Sequence, residues 1–254
     1  NAGDTYSQTL DSFVPAVLPD DYFLIVRADG LNQAFEGADE GNNTSASAAP
    51  VSITVDEIPL GVPFDTTLSG GQDRLYRVVV PADETLRVTL DGSDDRQVNE
   101  LFLGQDRAPS GTDFDATYEG GLNSTIASTL PSTEAGEVFI LVRGRSAPAD
   151  DTPITLLAEL LPLTITDVDT DTGGDSAFVT TTIRGAKFHP NATVELIRPG
   201  FDTFTPASFE VIDATKIIAA FDLTGATRGL YDVKVTNPDG SAAIVPYRFL
   251  VERA

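Results

Sequence analysis

The sequence predicts an all-β protein built from tandem β-sandwiches, and three observations lead to this prediction. Apolar and polar residues alternate over short runs along the whole chain of 254 residues, and a period of two is typical of half-buried strands. Clusters of Gly, Asp, Ser and Pro separate these runs at the spacing found in sandwiches. No segment carries apolar residues at positions i, i+3, i+4 and i+7 for long enough to predict a helix.

The composition places the chain among folded proteins that do not bind nucleic acid. Hydrophobic residues make up 41% of the chain and can supply real cores. The net charge is -23, from 39 acidic and 16 basic residues, and such a surface repels nucleic acid and anionic membranes. No apolar run approaches the roughly 20 residues that span a bilayer. We therefore expect no nucleic acid partner and no membrane insertion.

Cysteine is absent from the chain, which removes disulfides, thiolate metal sites and cysteine nucleophiles. Stability must therefore come from packing or from bound ions. The acids are mostly Asp and only three basic residues are lysines, a balance that suits a salty or calcium-containing environment, where cations screen self-repulsion. Because the chain has neither Met nor an export signal, we expect it to be a mature or excised piece of a longer polypeptide.

Two joints divide the chain into three predicted units. A strand that ends near Val55 leads into two prolines, which places the first boundary near residue 57. Another strand meets Pro162 and a new strand starts at once, which places the second boundary near residue 162. The units are residues 1–57, 58–162 and 163–254. The last two have the size of single sandwich domains, and the first is about half that size.

The first unit, residues 1–57, contains two predicted strands, "YFLIVRA" and "PVSITV", on either side of an acidic loop. With its strand, its Asp- and Glu-rich loop, its Asn pair and its closing strand, it resembles the second half of a CARDB domain, a cell-adhesion-related immunoglobulin-like module of bacteria. The earlier strands of that family are missing here. The resemblance implies an incomplete sandwich, which either upstream sequence or a strand donated by a partner completes.

The second unit, residues 58–162, contains the strand patterns "RLYRVVVP", "TLRVTL" and "GEVFILVRG" in that order. It resembles the bacterial pre-peptidase C-terminal (PPC) domain, a small sandwich found beside secreted peptidases and in large surface proteins. The Asp-Leu-Tyr triplet that is usual in that family is replaced here by Glu100, Leu101 and Phe102. This departure weakens the expectation of a calcium or ligand role at the acidic position.

The third unit, residues 163–254, contains "TTTIRGAKFHPNATVEL" and "GLYDVKVTNPDGSAA". These segments resemble an IPT/TIG immunoglobulin-like domain. Without the family, Asn237–Gly240 still predicts a hairpin turn, because Pro presets φ and Gly accepts a positive φ. The predicted fold class is therefore all-β, with tandem immunoglobulin-like and jelly-roll-like sandwiches.

An acidic loop in the first unit is the best metal candidate. Calcium takes about six to eight hard oxygen ligands, and the preferred carboxylates here are those of Asp29, Glu36 and Glu40. The full candidate set is Asp29, Asn32, Glu36, Asp39, Glu40, Asn42 and Asn43. Carboxylates at this density repel one another unless a cation lies among them, yet solvated acidic loops are common in so acidic a chain. The sequence leaves a calcium site and a solvated loop as open alternatives.

Two further acidic runs fit a metal less well. Residues 167–175, "DVDTDTGGD", space their Asp residues like a calcium loop. However, Gly falls at the seventh place, and Phe178 stands where an EF-hand has a bidentate Glu. We expect a solvated turn between domains there, and a hairpin turn at residues 91–95, "DGSDD".

No catalytic constellation is evident. His189 is the only histidine and lies in a loop beside Pro190, and no Gly-x-Ser-x-Gly elbow presents a nucleophile. The carboxylates, which could in principle form a glycosidase pair, cluster at turns. An isopeptide bond needs a buried lysine, whereas Lys234 alternates onto an outward face, and Lys187 and Lys216 lie at a strand edge and a turn. We predict that the chain is not an enzyme.

These observations predict a non-enzymatic, extracellular or cell-surface modular protein of a bacterium, acting as a stalk, an adhesin or a self-assembling filament element. Its partners would be further copies of itself, through head-to-tail assembly or strand donation, or other surface proteins. The alternative is an accessory C-terminal region of a secreted peptidase or other hydrolase. A carbohydrate-binding module is disfavoured, because the chain has no Trp and its remaining aromatic residues are scattered.

Overall fold

The computed structural model describes residue 9, residues 12–28, residue 31 and residues 43–254. All regular secondary structure in these residues is β, and no helix occurs among them. The described segments accordingly contain no helix with the length and apolar composition needed to cross a bilayer. The all-β prediction is confirmed.

The first part of the chain forms a thin two-stranded ribbon without a core. Its strands are β1 (Asp20–Tyr22), β2 (Ile25–Arg27), β3 (Thr44–Ala46) and β4 (Val51–Ile53). β1 pairs with β4 and β2 pairs with β3, both antiparallel. The predicted single strand is therefore interrupted at Phe23 and Leu24. No residue of the four strands is buried, and Ile25 and Val26 are 70% and 69% exposed.

The second part of the chain forms a jelly roll. Its strands are β5 (Asp56–Glu57), β6 (Phe64–Leu68), β7 (Asp73–Val80), β8 (Thr85–Gly92), β9 (Val98–Gln105), β10 (Ala116–Thr117), β11 (Ile126–Leu130), β12 (Gly136–Ser146) and β13 (Thr152–Leu161). The antiparallel pairs are nested in sequence: β6 with β13, β7 with β12, β8 with β11 and β9 with β10. A long hairpin ribbon that folds over in this way produces two facing sheets, ordered β10-β9-β12-β7-β5 and β11-β8-β13-β6.

The apolar residues that alternate with polar ones in the sequence lie on the inward faces of these sheets. In β7 the buried side chains are Tyr76, Val78 and Val80, and in β8 Leu86, Val88 and Leu90 face them. One continuous apolar cluster extends from Ile58 to Ala158. The short strand β5 precedes this cluster and pairs in parallel with β7, so residues 56–57 belong to the jelly-roll sheet.

The third part of the chain has the strand order of an immunoglobulin domain. Its strands are β14 (Thr164–Asp169), β15 (Thr172–Gly174), β16 (Phe178–Ala186), β17 (Thr193–Ile197), β18 (Thr203–Phe204), β19 (Ser208–Asp213), β20 (Lys216–Asp222), β21 (Gly229–Thr236) and β22 (Ala242–Glu252). One sheet is β14-β16-β20-β19 and the other is β15-β22-β21-β17-β18. These orders correspond to the ABED and GFC sheets of the immunoglobulin fold. The predicted tandem of jelly-roll-like and immunoglobulin-like sandwiches is confirmed.

Tyr231 joins the core of the immunoglobulin-like sandwich to one of its ends. Its side chain is fully buried, and its single hydroxyl proton is shared between two acceptors, the carbonyl of Thr227 at 2.7 Å and Oδ2 of Asp202 at 3.0 Å. A tyrosine that bonds the backbone four residues upstream is the tyrosine corner of immunoglobulin folds. Burial and the neighbouring Asp202 carboxylate raise the pKa of Tyr231 to about 12.

The turn predicted at Asn237–Gly240 is confirmed. The amide of Gly240 donates to the carbonyl of Asn237 at 3.0 Å, and the amide of Asn237 donates to the carbonyl of Ser241 at 2.9 Å. Gly240 has a φ of 86°, which only glycine adopts without strain.

The two other acidic runs occupy positions different from those predicted. Residues 91–95 do not form a hairpin turn, because β8 and β9 belong to opposite sheets of the jelly roll. Residues 167–175 do not form a turn between domains. They cross from β14 in one sheet to β15 in the other within the immunoglobulin-like sandwich. Residue patterns mark where a chain turns but do not determine which sheet the next strand joins.

The Tyr231 hydroxyl can be tested by a single substitution. We expect Tyr231→Phe to lower the free energy of unfolding by about 1 kcal/mol, because the Thr227 carbonyl and Asp202 lose a donor at a buried position. Urea denaturation followed by circular dichroism measures this loss. Tyr247→Phe is the matched control, since Tyr247 is 70% exposed. Equal stabilities of the two variants would contradict a structural role for the Tyr231 hydroxyl.

Candidate functional site

The predicted calcium loop falls mostly outside the described residues. Asp29, Asn32, Glu36, Asp39, Glu40 and Asn42 all lie there. Only Asn43 is described; it is half-buried, and its carbonyl accepts the amide of Ala28 at 2.8 Å. Beside it Arg27 pairs with Thr44, so the β2–β3 pair holds the two ends of the loop together. Calcium binding by this loop stays a prediction.

Three of the four carboxylates in the acidic run at residues 167–175 form ion pairs with arginines. Asp167 and Asp171 both contact the guanidinium of Arg248, at 2.8 and 3.4 Å. Asp175 contacts Arg228 at 2.6 Å. These pairs hold the crossover between the two sheets against β22 and against the turn before β21. Within the described residues, no group of three or more His, Asp or Glu side chains is arranged to hold a metal ion.

The acidic run at residues 91–95 also forms an ion pair, between Asp94 and the neighbouring Arg96. Asp94 accepts hydrogen bonds from the amide and the guanidinium of Arg96, at 2.7 to 2.9 Å. These bonds lower the pKa of Asp94 to about 2. Asp91 instead accepts the hydroxyl of Thr125. The run therefore fixes the corner between β8 and β9.

Glu100, the residue at the acidic position of the PPC-like triplet, is a structural residue in this chain. Its side chain is only 9% exposed and lies between two arginines. Arg145 contacts it at 2.9 Å, and Arg143, which also binds Asp73 at 2.8 Å, contacts it at 3.4 Å. A cation at Glu100 would have to displace two guanidinium groups, so this network locks β7, β9 and β12 together.

His189 lies in an exposed loop, as predicted. Its Nδ1 accepts the amide of Asn191 at 3.0 Å. Among the lysines, Lys234 is half-buried and pairs with Glu195 across the sheet at 2.9 Å. This geometry places neither residue beside a nucleophile.

The jelly roll and the immunoglobulin-like sandwich meet at Lys187. β13 ends at Leu161 and β14 begins at Thr164, so only Pro162 and Leu163 connect the two sandwiches. The loop after β16 reaches back across this connection. The Lys187 ammonium lies 2.8 Å from the Glu84 carboxylate, and its backbone amide donates to the Thr85 hydroxyl at 3.1 Å. We call these two interactions the joint contact.

Both sides of the joint contact are braced from within their own sandwich. The buried Thr85 hydroxyl also donates to the carbonyl of Pro131 at 2.8 Å. Opposite it, Lys187 has a φ of 56°, which is unusual for a residue with a side chain. The side-chain amide of Asn237 donates to the Lys187 carbonyl at 2.9 Å and holds this conformation. The joint contact therefore joins two preformed surfaces.

Sequence patterns did not identify the joint contact. The sequence predicts a strand edge at Lys187 and the start of the strand "TLRVTL" at Thr85. The only signal available was Asn237 in the predicted turn, because an Asn side chain often bonds nearby backbone groups. That signal predicts a hydrogen bond from Asn237 to a nearby backbone group, but it does not predict which residue of the jelly roll is contacted.

Comparisons with known proteins give likenesses to solved structures only. No protein-family model matches the chain, and no curated protein matches it. The chain is similar to the pre-peptidase C-terminal domain of a collagenase from Bacillus anthracis, with 14% identity and a TM-score of 0.33, over 41% of this chain and 94% of that one.

Two larger regions of the chain also have structural likenesses. A gamma-CGTase from alkalophilic Bacillus clarkii matches with 14% identity and a TM-score of 0.28, over 76% of this chain and 26% of that one. A protein from Eubacterium rectale, provisionally described as secreted, matches with 10% identity and a TM-score of 0.27, over 99% of both chains. At these identities and TM-scores, none of the likenesses carries a function over to this chain.

The calcium prediction can be tested by isothermal titration of the whole chain with CaCl2. We expect binding heat from the wild type and its loss in the double variant Glu36→Ala, Glu40→Ala, because a calcium site needs its carboxylates. The matched control is Asp167→Ala, Asp171→Ala, whose carboxylates already contact Arg248, and its binding heat should be unchanged. Absence of heat from the wild type would leave a solvated loop as the answer.

Proposed function

We propose that the chain is a non-enzymatic, extracellular modular protein of a bacterium, in which the jelly roll and the immunoglobulin-like sandwich form one rigid spacer. The finer role is that of a cell-surface stalk, an adhesin or a filament element. The observation that carries the proposal is the joint contact, because it restricts the angle between two sandwiches that a two-residue connection already holds close together.

The rigidity follows from where the joint contact lies. A connection of two residues still allows rotation about several backbone dihedrals, although Pro162 fixes one of them. The joint contact lies outside this connection, so it adds a second point of attachment. Two separate attachments suppress rotation much better than one. Each of its bonds is modest by itself, about 1 kcal/mol, but they oppose bending and twisting together.

The strand orders support modules of the predicted kinds. The nested pairing of β6 to β13 is that of a jelly roll, as the resemblance to PPC domains implies. The tyrosine corner at Tyr231 supports an immunoglobulin-like module such as an IPT/TIG domain. The acidic surface supports an extracellular setting, where cations screen it.

The alternative proposal is an accessory region beside the catalytic unit of a secreted peptidase or other hydrolase. A rigid pair of sandwiches would serve either role. The sequence of the complete gene distinguishes them, because a catalytic domain upstream favours the accessory region and repeated sandwiches favour the stalk.

The rigid joint can be measured by pulsed electron spin resonance. The chain has no cysteine, so Asp95→Cys and Thr224→Cys provide one unique spin-label site on each sandwich. We expect one narrow distance distribution. Adding Glu84→Ala and Thr85→Val removes the two jelly-roll partners of Lys187 and should broaden the distance distribution, because the sandwiches then pivot about residues 162–163.

A matched control has the same chemical change inside one sandwich. Thr193 and Glu195 bond Thr236 and Lys234 within the immunoglobulin-like sandwich, so Thr193→Val with Glu195→Ala should leave the distribution narrow. A broad distribution in the labelled wild type, or equal broadening in both variants, would contradict the rigid spacer.

The exposed ribbon, β1 to β4, supports the proposal that the first unit is completed by further strands. Apolar Phe23, Leu24, Ile25 and Val26 are each more than half exposed. A lone two-stranded ribbon is marginally stable in water, and its unpaired edges can accept another strand. We propose that the strands come from more of the same polypeptide or from a neighbouring subunit, which would build a head-to-tail assembly.

Sedimentation velocity of the 254-residue chain tests this completion. We expect concentration-dependent association of the wild type and its loss in Leu24→Lys, Val26→Lys, because charge on the ribbon opposes strand pairing. Leu230→Lys with Ile244→Lys is the matched control, since these apolar residues are exposed on the immunoglobulin-like sandwich. A wild type that remains monomeric, with a protease-resistant ribbon, would show that the ribbon is stable alone.

A further inference from the structure

A cleft of about 620 Å³ lies beside the joint contact, between the two sandwiches. Asp83, Pro131 and Ser132 of the jelly roll line one wall, and loops of the immunoglobulin-like sandwich line the other. Clefts of this volume between domains are common places for ligands to bind. The rigid-spacer proposal gives this cleft no role.

The floor of the cleft is apolar. We use this word for the apolar part of the lining, to which the jelly roll contributes Pro131 and the immunoglobulin-like sandwich contributes Pro190, Val211 and Ile212. Ile212 is 46% exposed, although it is a large apolar residue at the edge of a sheet. An apolar side chain placed on this floor would bury hydrophobic surface on both partners, which contributes roughly 25 cal/mol per Å².

The rim of the cleft is negatively charged. It carries three exposed carboxylates, those of Asp83, Asp213 and Asp239. The only lysine or arginine that lines the cleft is Lys187, and Glu84 already neutralises its charge at 2.8 Å. His189 lines the cleft as well and lies close enough to Asp239 to contribute to lowering the pKa of that carboxyl. Three carboxylates still outnumber the basic groups of the lining, so the field in the cleft is negative and attracts a cation.

Two of these carboxylates are held in place and keep one oxygen for a ligand. In Asp239, Oδ1 accepts the hydroxyl and the amide of Ser241 at 2.6 and 2.9 Å, which lowers the pKa of this carboxyl. In Asp213, Oδ1 accepts the amide and hydroxyl of Thr215, both at 2.7 Å. Oδ2 of each has no hydrogen-bond partner within the described residues, so it can accept one from a guanidinium or ammonium group.

We propose that this cleft binds an extended segment of a protein partner that combines basic and apolar residues. An Arg or Lys side chain would lie among Asp83, Asp213 and Asp239, and an apolar neighbour would lie on the floor formed by Pro131, Pro190 and Ile212. An acidic segment is excluded by repulsion, and a purely apolar one leaves the carboxylates without a partner. The cleft thus selects for charge and for apolar surface together.

The absence of Trp from the chain allows a direct binding measurement. The probe is a blocked hexapeptide of sequence RLPWRL, whose Trp fluorescence anisotropy is recorded as protein is added. The acidic peptide ELPWEL is the control ligand. We expect saturable, one-to-one binding of the basic peptide and none of the acidic peptide. Absence of saturable binding by the basic peptide would overturn the proposal.

Variants separate the cleft from general attraction to an acidic surface. Asp213→Asn with Asp239→Asn should weaken binding about tenfold, which corresponds to about 1.4 kcal/mol. Ser132→Arg, which places a cation at the rim, should abolish it. The matched control is Asp95→Asn with Asp150→Asn, which removes the same charge from exposed positions elsewhere and should bind as the wild type does.

Equal weakening by both double Asn variants would mean nonspecific attraction and would overturn the proposal. Circular dichroism confirms that each variant folds. Because none of these substitutions alters the joint contact, a failure of peptide binding is distinguishable from a failure of the rigid spacer, which the spin-label distances report.

Discussion

The packing of two sheets face to face over a single apolar layer is the interaction on which the rest of this structure depends. The chain has no cysteine and no described helix to cover a sheet from outside. The strands of the two sandwiches must therefore bury one face against the opposite sheet. In the jelly roll the ring of Tyr76 in one sheet meets that of Phe64 in the other edge to face, at 5.7 Å. In the immunoglobulin-like sandwich Tyr231 meets Phe204 at 6.0 Å within one sheet, and this contact fills the inner face of that sheet.

The acidic surface is organised around a small number of arginines. Because the chain has 39 acids and 16 basic residues, most carboxylates have no cation of their own. The arginines are placed where they join separate strands: Arg143 bridges β7 and β9, and Arg248 holds the crossover between β14 and β15. Exposed ion pairs contribute little to stability, whereas Glu100, with a side chain only 9% exposed, would be costly to leave unpaired. The carboxylates left over give the molecule its negative field.

Sequence periodicity could predict the fold because the period of two directly records which face of a strand is buried. Tyr231, Val233 and Val235 alternate with polar residues, and all three are buried. The turn at Asn237–Gly240 is equally local, since Pro238 presets φ and Gly240 accepts a positive φ in any context. Residues 91–95 and 167–175 could not be placed, because a loop that changes sheets and one that forms a hairpin use the same residue types. No residue of the ribbon strands β1 to β4 is buried, and the completion of this unit by further strands stays a prediction.

Sequence periodicity cannot predict the joint contact, because this contact depends on two loops that are distant in sequence. Each loop takes its conformation from bonds within its own sandwich. The Thr85 hydroxyl is oriented by Pro131, and the amide of Lys187 is presented by a backbone conformation that Asn237 stabilises. Each loop loses its conformational entropy when its own sandwich folds, so little remains to be lost when the two surfaces meet. Preorganisation of this kind allows a few weak bonds to hold an angle that larger but flexible surfaces would not. The same rigidity keeps the walls of the neighbouring cleft at a fixed separation, which a site for an extended peptide requires.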